Sequence, residues 1–109
     1  MVLRFPKTVA DFEKIGRLDS LIEKSRKLRK EVENVRKEVK DIFEIEAKIN
    51  GFKDKLDRFD RICMTLINEI LKGVPLHPAT IVGLEETFKL LEQQWKDLMD
   101  KYKLGIIYL

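Results

Sequence analysis

The side chains able to do chemistry in this sequence are one cysteine, one histidine, scattered carboxylates and one dense run of cations. Cys63 falls between Phe59 and Leu66 in an apolar helical pattern. A free thiol in that setting packs as a small hydrophobe, whereas a nucleophilic one needs an electropositive, partly open surrounding. His77 lies between Pro75 and Pro78. Metal sites draw several N, S or O donors together at close spacing, and one His with one Cys does not supply them. The carboxylate pairs Glu85/Glu86, Asp97/Asp100 and Asp57/Asp60 stand beside Lys or Arg and fit solvated helix faces. A general acid–base pair needs a cleft that separates its two pKa values. The sequence has no Gly-rich phosphate loop, no G-x-S-x-G and no H-E-x-x-H. The expectation is a protein that is not an enzyme, with no catalytic, cofactor-binding or metal residues and no small-molecule substrate.

The cation run is the strongest chemical signal. Lys24, Arg26, Lys27, Arg29, Lys30, Arg36, Lys37 and Lys40 face only Glu23, Glu31, Glu33 and Glu38. Clustered cations neutralise phosphates in a salt-dependent way, and they also meet acidic proteins or anionic lipid. No aromatic residue interleaves them, so bases have no stacking platform there. The first reading is a solvated helix face, with Lys27, Arg29, Lys30, Arg36 and Lys37 as candidate partner-binding residues. A nucleic-acid-associated helical protein using 24–40 is the alternative. The apolar tail residues Ile106, Ile107 and Tyr108 are a second candidate contact, packing on the bundle or docking on a partner.

These groups sit on helices. The chain has 109 residues, one domain's worth, and 38% of them are charged while only 5 are Gly and 3 Pro. That balance calls for long helices with narrow apolar seams and wide solvated faces. The net charge of +3 is a small excess in so charged a chain and points weakly to nucleic acid. The single cysteine cannot form an internal disulfide, the N-terminal residues carry no apolar stretch of the secretory kind, and no run reaches the roughly 18 apolar residues of a membrane span. The expectation is a cytoplasmic protein without a membrane span.

Three helices are expected over about 8–50, 52–72 and 78–104. Thr8 suits an N-cap, with Asp11 in the first turn. From Leu21 a 4-3 spacing continues through Ser25, Leu28, Val32, Val35, Val39, Ile42, Glu46 and Ile49, a heptad seam with two polar lapses. Asn50-Gly51 marks either a turn or a point that a helix crosses at a cost of about 1 kcal/mol. Phe52, Leu56, Phe59, Cys63, Leu66 and Ile70 keep the spacing, and Ile62, Ile67 and Leu71 widen the face. Gly73, Pro75 and Pro78 end that helix. Ile81, Leu84, Phe88, Leu91, Trp95, Leu98 and Tyr102 alternate without a lapse. The core is expected to rest on Phe59, Leu66, Phe88, Leu91, Trp95 and Leu98.

At 1.5 Å per residue those spans would measure about 63, 32 and 40 Å, which do not match. Either the first helix bends or breaks near Lys37–Asp41, or its charged middle projects past the bundle and pairs with a second copy. The fold expected is all-α: an antiparallel three-helix coiled-coil bundle, or a long helix with a helical hairpin forming a homodimer.

The stretch from Leu71 to Tyr102 resembles the end of a spectrin repeat. There an apolar-Gly loop closes the second helix, His-Pro precedes the third, and Leu, Trp and Leu follow at heptad spacing. The matching residues are His77-Pro78, Ile81, Leu84, Leu91, Trp95 and Leu98. The resemblance implies a left-handed three-helix bundle serving as a spacer or docking module in cytoskeletal and scaffold proteins. The function expected is therefore structural, with other proteins or a second copy of itself as partner. A subunit of a larger helical assembly is a third reading.

Overall fold

A computed structural model describes residues 8–102. It contains three helices packed against one another, α1 Val9–Glu38, α2 Phe43–Leu71 and α3 Pro78–Tyr102, with no strand among the described residues. Their 30, 29 and 25 residues make them nearly equal in length, and the rod they form measures 53 × 23 × 19 Å.

Local chemistry accounts for most of the helix ends. Thr8 is extended at φ −122°, and its Oγ1 accepts the Asp11 N–H at 3.1 Å, capping α1 as its sequence suggests. Past Leu71 the chain closes in a Schellman turn. The Gly73 N–H donates to the Ile70 carbonyl at 3.0 Å and the Val74 N–H to the Glu69 carbonyl at 2.9 Å. Gly73 adopts φ 86°, which glycine reaches without a Cβ penalty. His77 then caps α3, its Nδ1 accepting the Ala79 N–H at 3.0 Å, and Pro78 takes the first helical position.

The helix boundaries expected at 8–50 and 52–72 are corrected by the structure. α1 stops at Glu38, and the chain reverses over Val39–Ile42. The Val39 N–H reaches the carbonyls of both Val35 and Arg36, and the Ile42 N–H donates to the Val39 carbonyl at 2.9 Å. This reversal contains neither Gly nor Pro. Its cause is tertiary: folding back buries Val32, Val35 and Val39 against Ile49, Phe52 and Leu56, where a continuous helix would leave that seam in water. The long projecting helix is therefore not formed. Ile42, expected in the seam, caps α2 and is half exposed.

Helix α2 meanwhile runs through Asn50-Gly51 without interruption. Ile49 and Phe52 on either side are both buried, and burying such a side chain is worth about 1.5–3 kcal/mol each, more than one helical glycine costs.

A single core runs the length of the rod. Phe59, Phe88, Leu91 and Trp95 are buried in it, and Leu66 and Leu98 pack against it partly exposed. In α3 the buried line runs Ile81, Phe88, Trp95, Met99. Ile81 to Met99 is five turns of a straight helix at about 3.6 residues per turn. Met99 therefore takes the inner place that a strict heptad assigns to Leu98. Ile62 and Leu71, expected to broaden the inner face of α2, are exposed instead.

Candidate functional site

The cation run divides into two sets. Arg29 is tied to α2: its Nη2 bonds Asp60 Oδ2 and lies 3.0 Å from Asp57 Oδ1. Arg36 reaches back to Glu33, with Nη2–Oε2 3.3 Å, and Lys53 of α2 meets the same carboxylate. Hydrogen bonding from Lys53, joined by that from Arg36, holds the Glu33 carboxyl below the usual carboxylate range. Lys24, Arg26, Lys27, Lys30, Lys37 and Lys40 are exposed and form no ion pair among the described residues. At about 100° per residue, Arg26, Lys30 and Lys37 share one stripe of α1, with Lys27 about a quarter-turn away. That stripe belongs to a shallow face that Arg29, Glu33 and Asn34 complete.

Asp60 was expected on a solvated face, and the structure places it inside, 7% exposed. A buried carboxylate is costly unless paired and hydrogen-bonded, and Arg29 provides both. The sequence carried the signal: Asp60 lies four residues after Leu56 and three before Cys63, both seam positions. Nearby, Ser25 is fully buried on the α1 seam, and its hydroxyl has no hydrogen-bond partner among the described residues. Cys63 is buried as expected. Burial, reinforced by the Asp60 charge, pushes its thiol up to about 11.

The rod has three grooves between helix pairs, and they differ in kind. Between α1 and α2, the Arg29–Asp57/Asp60 and Lys53–Glu33 pairs cross the groove. Between α1 and α3, Arg17 grips Glu85, with Nε–Oε2 3.2 Å, and the Lys14 ammonium caps the Leu76 carbonyl at 2.7 Å. The Arg17 contact holds the Glu85 carboxyl below its ordinary range. Glu13, Lys24, Lys89 and Glu92 leave this groove lined by both signs of charge. Between α2 and α3 no ion pair crosses among the described residues. Two aromatic pairs fill the space there: Phe52 on Trp95 at 5.3 Å between centroids, and Phe59 on Phe88 at 5.6 Å. Above them lies an open groove of about 430 Å³, floored by Phe59, Leu84 and Leu91 and walled by Ile62 and Leu90.

His77 is spent on its helix cap, away from Cys63 in the core. Among the described residues no cluster of three or more His, Cys, Asp and Glu is placed to hold a metal ion. No described helix is long and apolar enough to cross a membrane. The tail candidates Ile106, Ile107 and Tyr108 lie outside the described residues. Comparison with protein families, with curated proteins and with solved structures returned no match.

Proposed function

We propose that this chain is an antiparallel three-helix coiled-coil module of the spectrin-repeat type, a non-enzymatic spacer or docking domain between proteins. The observation that carries the reading is the 53 Å rod, whose core is continuous along its length. The order of its cross-helix pairs agrees. Moving forward along α1 from Arg29 to Glu33, the partners on α2 move backward from Asp60 to Lys53. The α2–α3 pairs run backward in the same way, Phe52 with Trp95 and then Phe59 with Phe88. The work of such a module is geometric: stiff helices set a distance, and an unsatisfied surface selects what is held at its side.

Nitroxide pairs on exposed positions test this reading. Ala10→Cys with Lys72→Cys should give one short distance. Ala10→Cys with Ala47→Cys should give one narrow distance of about 40 Å, from the rise of 1.5 Å per residue. Broad distributions, or a long 10–72 distance, overturn it.

A second reading rests on the Arg26, Lys30 and Lys37 stripe, which is free to meet phosphates. If these three residues do so, log affinity for random duplex DNA falls with log salt at a slope of about −3. Absence of affinity at low salt removes that reading.

A further inference from the structure

We propose that the groove between α2 and α3 receives an acidic amphipathic helix from a partner protein. Three features of this groove set it apart. It is the one inter-helix surface of the described rod that no ion pair closes. Its floor is apolar, and its two walls expose aliphatic side chains to water, Ile62 at 49% and Leu90 at 64%. Its ionised lining has one sign: Lys55 and Arg58 border it, and no carboxylate does. Arg58 has no hydrogen-bond or ion-pair partner among the described residues, and Lys55 reaches only the amide of Gln94, at 3.4 Å.

The dimensions suit a helix. From Leu84 to Gln94 the groove follows α3 for about 15 Å, close to three turns. That length accommodates apolar anchors at i, i+3 or i+4, and i+7 of an incoming helix. Glutamates flanking those anchors would meet Lys55 and Arg58, and like charges there would be repelled. Gly83, one turn before Thr87, adds no side chain at that end, and the space beside it is open. A fourth helix laid in this groove would extend the bundle by the same ridge-into-groove packing that holds the first three.

The inference rests on the reading of the chain as a docking module, and the test separates the two. The probe is a 16-residue peptide with Leu at i, i+4, i+7 and i+11, Glu and Ala elsewhere, alongside a counterpart with Lys for Glu. Each is titrated into the isotope-labelled full chain, with affinity read by fluorescence anisotropy and location by amide shifts. The Glu peptide should bind saturably, with shifts gathered on Ile62, Leu84, Thr87 and Leu90. Leu90→Glu should weaken it at least tenfold with the melting temperature unchanged. Arg58→Glu should weaken the Glu peptide and strengthen the Lys peptide. Equal binding of the two peptides, no binding, or shifts gathered on Arg26, Lys30 and Lys37 overturn the proposal. So does a dimer of the chain alone that dissolves in Leu90→Glu, because a second copy would then be the occupant. Narrow nitroxide distances with no peptide in the groove remove the docking site and leave the spacer. Scattered distances remove the spacer whatever the peptide does.

Discussion

Phe52 and Trp95 stack with ring centroids 5.3 Å apart and planes inclined by 29°, joining the first half of α2 to the second half of α3. Both rings are buried, so truncating either removes a large apolar area and leaves a cavity. Trp95→Ala should destabilise the chain by about 3–5 kcal/mol, read from urea melts. A loss below about 1 kcal/mol would mean that the ring packs little in solution and that the core ends short of this layer.

Gly51 lies inside α2, exposed, with open space where a Cβ would go. Alanine there loses less conformational entropy in a helix. Gly51→Ala should therefore stabilise the fold by about 0.5–1 kcal/mol. A destabilised variant would show that the chain turns at this point in solution.

Arg29 and Asp60 form the buried end of the α1–α2 ion network. Asp60→Ala removes the main partner of the Arg29 guanidinium and should cost about 1–3 kcal/mol. Joining Asp60→Leu to Arg29→Met should recover much of the loss, since paired apolar groups of similar size replace such a pair well. A double-mutant cycle measures the coupling. Additive losses would show that the two side chains do not interact.

Stability should fall at both ends of the pH range, for opposite reasons. The Glu85 and Glu33 carboxyls are held below their ordinary value of 4.5. Their contribution is complete above that value and is lost as pH falls through the depressed folded values. Glu85→Gln should make the acid decline shallower. The Cys63 thiol is raised from 9.0 to about 11. Its contribution is complete below 9.0 and is lost as pH rises towards 11. At pH 8 an aromatic disulfide reagent should modify Cys63 only as fast as the chain unfolds. Rapid modification under native conditions would contradict its burial.

The helical class, the cap at Thr8, the stop at Gly73 and most of the core were legible from residue types and three-four spacing. Those are local properties, decided within a turn or two of chain. The reversal after Glu38 was only half legible. Unequal helix lengths left either a break near Lys37–Asp41 or a projecting helix, and Val39–Ile42 holds no residue that breaks a helix, while Asn50-Gly51 left open a turn that does not form.

Which end of α1 met which part of α2, and hence which charges were consumed, was decided by tertiary structure alone. In the sequence Arg29 and Lys30 are neighbours of one kind. In the fold, rotation by about 100° sends Arg29 to Asp60 and leaves Lys30 in water. The same holds for Ile62 and Cys63, adjacent in sequence, one on the wall of an open groove and the other sealed in the core. Periodicity states how often a helix must turn an apolar side inward. Only the packed partners settle which side that is, and which surface is left for something else to cover.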